Sequence, residues 1–325
     1  MQKIWQIGSA LMLSVAVFCA PSAQAASTER GISLATANGE IQGSLLQPEG
    51  KEKVPVVLII AGSGPTNRNG NSVGLPGNNN SLKMLAEGLA NQGYASVRFD
   101  KRGVGDSAAV ATTESAIRFE TYVDDAAAWL KMLKADTRFS DVVVLGHSEG
   151  SLIAMLAAQQ VPVSALVSVA GAGSNLADVL RQQLYGKLPP DLVTPNEEIL
   201  QALQAGKTTA SVPPALQFLY RDSVQPYLIS QFRYTPVQEI RKLTMPVLIL
   251  QGDTDIQVDH SQAEALKAAK PDAELHIISG MNHVLKIVPA ADVHKQMASY
   301  SDPTLPVSPE LIRHLSAFLQ QLSRH

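Results

Sequence analysis

The chain has 325 residues, 45% of them hydrophobic and 17% charged, and its 26 basic against 29 acidic side chains leave a net charge of −3. That suits a soluble globular protein with a large buried core, and the lack of a basic stripe excludes nucleic acid as an expected partner. One cysteine, Cys19, excludes a disulfide framework.

Residues 1–25 read as a signal peptide. Lys3 supplies the positive charge, Ile7 to Ala20 the apolar run, and Ala23-Gln24-Ala25 a small-x-small cleavage site. The run is short for a membrane span. Cleavage after Ala25 and export to the periplasm or medium are expected, with no membrane association afterwards. Phe18 stands where a lipoprotein signal needs a small residue, so Cys19 leaves with the signal and the mature chain has no thiol.

Next, Ile32 to Thr36 and Ile41 to Gln47 flank Asn38-Gly39, a hairpin signal. Val54 to Ala61 is a continuous apolar run, as for a strand covered on both faces. A Gly- and Asn-rich loop leads to a helix over Leu82 to Asn91 that Ser81 can cap, then to a second buried strand, Tyr94 to Phe99. An amphipathic helix, Tyr122 to Leu133, precedes the strand Val142 to Leu145, and Val163 to Val169 reads as the next strand. Alternating strands and helices predict a mostly parallel, twisted sheet with helices on both faces. Residues 26–174 form the first part of that α/β core. Residues 175–243 break the pattern: they are helical, punctuated by proline and rich in aromatics, and read as a cap over the carboxyl edge of the sheet. Residues 244–325 resume it, with strands at Met245 to Leu250 and Ala273 to Ile278, a helix near Ala263 to Ala268, and a closing helix at Val307 to Leu322.

The most informative stretch is Gly146-His147-Ser148-Glu149-Gly150, between a strand and a helix. A serine on a strand–turn–helix corner is presented at the end of the sheet, beside a helix N-terminus that favours negative charge. A serine hydroxyl is a weak nucleophile and needs a base, which in turn needs an orienting acid. In such a fold the chain order is serine, acid, histidine. Asp255, in Gly252-Asp253-Thr254-Asp255-Ile256-Gln257-Val258, is the preferred acid, with Asp253 as the alternative. Val258 stands where a calcium loop needs glycine, which excludes that use of the segment. His283 lies just past the last predicted strand and is the candidate base. His147 points away from the hydroxyl by alternation, so it packs or bonds locally. One oxyanion donor is the backbone N–H of Glu149. The other comes from Ala61-Gly62-Ser63-Gly64-Pro65: proline has no N–H, which leaves Ser63 or Gly64, with Ser63 preferred.

These residues, together with Asp100-Lys101-Arg102-Gly103-Val104-Gly105-Asp106-Ser107 and Gly280 to His283, resemble the α/β-hydrolase superfamily. Within it, they resemble bacterial serine carboxylesterases with a Gly-Ser-Gly-Pro oxyanion loop. The resemblance implies an α/β-hydrolase fold and ester hydrolysis on a small molecule through an acyl-serine, with no cofactor or metal. This chain departs from the family at Asn67 and Asn69, where acidic residues are common, and at Ser151, where glycine is usual. An amidase, peptidase or thioesterase would use the same triad, and a non-catalytic ligand-binding homologue is the alternative from another class. A histidine base must be neutral, so a neutral-to-alkaline optimum is expected.

Overall fold

The apolar runs become the centre of an eight-stranded sheet. The computed structural model describes residues 26–50, 53–73, 76–110, 113–289 and 292–322, so the expected signal segment, residues 1–25, lies outside the described residues. The strands are β1 (Ser27–Thr36), β2 (Gly39–Pro48), β3 (Val54–Ile60), β4 (Ala95–Phe99), β5 (Phe139–His147), β6 (Ala165–Val169), β7 (Val247–Gly252) and β8 (Glu274–Ile278). Their spatial order is β1-β2-β4-β3-β5-β6-β7-β8. The hairpin β1–β2 is antiparallel, and β2 also runs antiparallel to β4. From β4 through β8 every pairing is parallel.

Helices α1 (Ser81–Asn91), α2 (Phe119–Ala135) and α3 (Glu149–Gln160) alternate with these strands. Five helices lie between β6 and β7: α4 (Leu176–Leu184), α5 (Pro190–Gln204), α6 (Gln217–Tyr220), α7 (Gln225–Gln231) and α8 (Pro236–Ile240). After β7 come α9 (His260–Ala269), α10 (Val293–Ser299) and α11 (Pro309–Leu322). Side chains along β3 alternate between two cores. Val56, Leu58 and Ile60 join α2, α3 and α9 on one face, while Val57 and Ile59 join α1 and α11 on the other. Burying each such aliphatic side chain stabilises the fold by about 1.5–3 kcal/mol. Among the described residues, no helix is long and apolar enough to cross a membrane.

One local expectation needs correction, and one helix was not expected. Ser81 is the first residue of α1, not its cap; Asn79 Oδ1 accepts from the Ser81 N–H at 2.9 Å, and Asn80 sits before the helix with φ 53°. Asparagine tolerates that left-handed backbone better than serine does. Helix α10 has no forecast in the sequence, because it is short and polar.

The helices between β6 and β7 carry their own core, in which Leu200, Leu203, Leu216 and Tyr220 are fully buried. Both ends of this segment are clasped together. The Asn175 amide donates to the carbonyls of Phe232 and Tyr234 at 2.8 and 2.9 Å. The Gly173 carbonyl accepts from Val237 N at 3.1 Å. The segment joins α2 through Phe119 N–H, which donates to Ser230 Oγ at 2.7 Å, and through the edge-on rings of Tyr122 and Tyr227.

Candidate active site

Ser148 occupies the corner between β5 and α3 with φ 56° and ψ −122°. A non-glycine residue held there stores about 1–3 kcal/mol of strain. The surroundings impose it: Ser148 N–H donates to Val169 O at 2.9 Å, and Ser148 O accepts from Ser151 N at 3.0 Å. A Cβ at Gly146 would collide with the Gly150 carbonyl, and one at Gly150 with the Ile60 carbonyl, so strand and helix meet only because both positions lack a side chain. Serine before a helix usually caps it. Here the Ser148 side chain makes no cap bond, so its hydroxyl is left for another partner.

That partner is His283. Its Nε2 lies 3.2 Å from Ser148 Oγ, and its Nδ1 lies 2.7 Å from Asp255 Oδ2. A carboxylate only accepts, so Nδ1 carries the proton and Nε2 accepts from the hydroxyl. Asp255 follows β7 in a tight turn in which Oδ1 accepts from Gln257 N and Val258 N at 2.8 and 2.9 Å. Gln251 Nε2 donates to Oδ2 at 3.1 Å. Burial pushes the Asp255 carboxyl up. The charge and hydrogen bond of His283 and the two N–H groups outweigh that and hold it below the ordinary carboxylate range. Asp253 points elsewhere: its Oδ1 accepts from Gly280 N at 2.6 Å and shapes the loop that carries His283.

Four supporting residues escaped the sequence reading or had no role in it. His147 Nε2 donates to the His283 carbonyl at 2.8 Å, and the two rings lie 5.0 Å apart. Burial, then the neighbouring His283, pulls the His147 pKa down to about 4, so the ring is neutral at pH 7. Gln251, a buried polar residue at the end of an apolar strand, was the one detectable signal. Helix α10 supplies Gln296, which donates to Thr254 O at 3.1 Å, and Ser299, which accepts from Asn282 Nδ2 at 2.7 Å. It thereby ties the Asp255 loop to the His283 loop. The departures from the family pattern also have partners. Ser151 Oγ bonds Ser168 Oγ at 2.7 Å, and Asn67 Oδ1 accepts from Asn69 N and Asn71 N at 3.0 and 3.1 Å.

The loop after β3 brings Gly62 against Ser148, where a Cβ on the glycine would stand 3.1 Å from the serine Cβ. Among the described residues, neither Ser63 N–H nor Glu149 N–H has an acceptor. Both residues line a cavity of about 600 Å³ that Ser148 also lines. Its walls are mostly apolar, with Leu152, Val179, Val224 and Leu228 among them, and Tyr122, Glu149 and Tyr227 bring polar atoms. Val179, Val224 and Leu228 belong to the segment between β6 and β7. Two ion pairs stand at this cavity: Arg102 with Asp125, two-pronged at 2.6 Å, and Arg221 with Glu114. Among the described residues, no cluster of three His, Cys, Asp or Glu could hold a metal ion.

A parallel sheet with an antiparallel edge, a strained serine after β5 and a carboxylate–histidine pair after β7 and β8 define an α/β hydrolase. The chain matches the serine aminopeptidase S33 family (Hydrolase_4) over residues 74–287 and belongs to it. It is 27% identical over 253 residues to esterase EstD of Thermotoga maritima, an alignment that covers 77% of this chain and 59% of that protein. Est1E of Butyrivibrio proteoclasticus, in a structure with ferulic acid bound, superposes with a TM-score of 0.60 at 20% identity, covering 90% of this chain and 100% of that one. The esterase domain of a Rhodothermus marinus protein gives 0.54 at 16%, covering 90% and 98%. At such identities the two structures share the fold.

Proposed function

We propose that the protein hydrolyses carboxylic esters of small molecules through an acyl-serine intermediate. The continuous chain Asp255–His283–Ser148 carries this reading. His283 Nε2 takes the hydroxyl proton as Ser148 Oγ attacks the ester carbonyl. Asp255 holds the tautomer and stabilises the imidazolium. The N–H groups of Glu149 and Ser63 hold the oxyanion, and His283 returns the proton to the departing alcohol. Water, activated by His283, then releases the acid. The segment over residues 175–243 acts as a cap whose side chains sort acyl groups. EstD is named an esterase, which supports this reading. The family's description as a serine aminopeptidase supports a second one, amide cleavage on the same triad. Residues 1–25 direct export, so the substrate is met outside the cytoplasm.

A fluorophosphonate probe tests the nucleophile. The wild type is expected to be labelled and Ser148→Ala not, with turnover of 4-nitrophenyl butyrate falling on the order of 10⁶-fold. Equal labelling of both would remove Ser148 from the mechanism. Matched esters, thioesters and aminoacyl amides then separate the two readings by their kcat/KM.

A further inference from the structure

We propose that Lys101 is a positioning residue for the oxyanion-holding peptide. Its side chain donates to the Gly62 carbonyl and so fixes the direction in which Ser63 N–H points. The inference rests on the oxyanion role given above to Ser63.

β3 and β4 are parallel neighbours, so the residues just past their carboxyl ends, Gly62 and Lys101, come side by side although 39 positions apart. Lys101 Nζ lies 2.6 Å from Gly62 O, and the lysine is only 2% exposed. A peptide unit is planar and trans, so its C=O and N–H point in opposite directions. Holding the Gly62 carbonyl towards the buried Lys101 Nζ therefore turns the Ser63 N–H the opposite way, and Ser63 lines the cavity that Ser148 also lines. A cation on the carbonyl oxygen also polarises the unit and makes its N–H a stronger donor.

The burial of Lys101 has no evident structural return. An ammonium taken out of water costs several kcal/mol unless it is well paired. Among the described residues, Nζ has this one hydrogen bond and no ion pair; it lies 5.3 Å from the centre of the Tyr122 ring. Burial draws its pKa down, and the charge of Glu149 acts against that. Among the described residues the Glu149 carboxylate has no ion pair; the Tyr227 hydroxyl stands beside it. Lys101 and Glu149 thus place a cation behind one oxyanion donor and an anion on the residue that supplies the other. The cation offsets the repulsion that the Glu149 carboxylate would exert on a developing oxyanion. Asp100, Arg102 and Ser107 of the same stretch have other tasks: Asp100 accepts from Arg68 N at 2.7 Å, Arg102 pairs with Asp125, and Ser107 Oγ accepts from Gln42 N at 2.8 Å.

The test compares the wild type with Lys101→Met, which keeps the stem and removes the cation, and Lys101→Arg, which keeps the charge. Rates are expressed per site titrated by fluorophosphonate, so unfolded protein does not count. For K101M, kcat on 4-nitrophenyl butyrate is expected to fall about 10- to 100-fold, less than the 10²–10³ typical of deleting a direct donor. KM should stay within about twofold, since a ground-state carbonyl draws little on these donors. The inhibition constant of a trifluoromethyl ketone, which forms a tetrahedral oxyanion on the serine, should rise in proportion to the loss in kcat, and K101R should recover part of both. An unchanged kcat, a fall in kcat without weaker ketone binding, or no titratable sites in either variant would overturn the proposal. A wild type that neither labels nor turns over ester would instead strike the ester-hydrolase reading.

Discussion

The loops after β5 and β7 and the helices between β6 and β7 border the same cavity, yet they are held by different means. In the loops, each site group has several short contacts that leave it one arrangement. Asp255 has both oxygens committed, to two backbone N–H groups, Gln251 and His283. Ser148 is forced into positive φ by backbone bonds on both sides. Over the cavity, Val224 and Leu228 are held by apolar packing, and their segment by a few side-chain bonds to α2. Hydrogen-bonded backbone fixes atoms to fractions of an ångström, whereas apolar packing tolerates exchange of similar volumes. The loops are therefore held in one arrangement, and the helices beside them tolerate exchange of side chains.

Four substitutions press on that contrast. The largest effect is expected within the loops. Asp255→Asn should lower kcat by about 10⁴-fold, because the amide selects the wrong imidazole tautomer. Asp253→Asn, two residues away, weakens only one bond to Gly280 N–H, worth about 1 kcal/mol, and should change kcat less than tenfold. Steady-state rates of the two variants decide it, and a larger loss at Asp253 would invert the assignment.

A second, smaller effect concerns pH. His147 is held near pKa 4 in the folded protein against about 6.5 when unfolded. Between those values the unfolded chain binds more protons, so stability falls as the pH falls from about 6.5 to about 4. The contribution is complete above that window and reaches roughly 3 kcal/mol. Urea unfolding across that range should show a steeper loss for the wild type than for His147→Gln. Parallel curves would mean that His147 is not kept neutral by the fold.

The smallest effect is expected over the cavity. Val224→Ala removes two methyl groups from the wall and should shift kcat/KM towards longer acyl chains by about tenfold, with the ester-hydrolysis machinery untouched. A chain-length series of 4-nitrophenyl esters reads this directly. An equal fall on every ester would show that Val224 supports the reaction itself and would blur the contrast.

The same contrast explains what the sequence could disclose. The strands were legible because parallel strands covered on both faces need continuous apolar runs, as in Val54 to Ile60. Ser148, Asp255 and His283 were legible because each follows a strand in a fixed order, although which of two nearby acids turns to the histidine is decided by bonds no local pattern encodes, from Gln251 to Asp255 and from Gly280 N–H to Asp253. Lys101 was visible as part of a polar turn, but its use depends on a carbonyl in another loop, which no local pattern encodes. Helix α10 was silent because its buried side chains, Gln296 and Ser299, are polar and face polar partners. The helices of residues 175–243 could be expected as a group but not placed one by one, since prolines cut the periodicity that would have marked their faces.

The Asn175 clasp has a consequence for how such a protein can change over generations. Asn175 Nδ2 holds the carbonyls of Phe232 and Tyr234 and so pins the two ends of the excursion together before the chain returns to β7. Once the ends are joined, lengthening or shortening what lies between them costs little, about 0.6 kcal/mol of closure entropy for each doubling in length. The clasp makes the excursion a cassette whose length can change independently of the sheet beneath it.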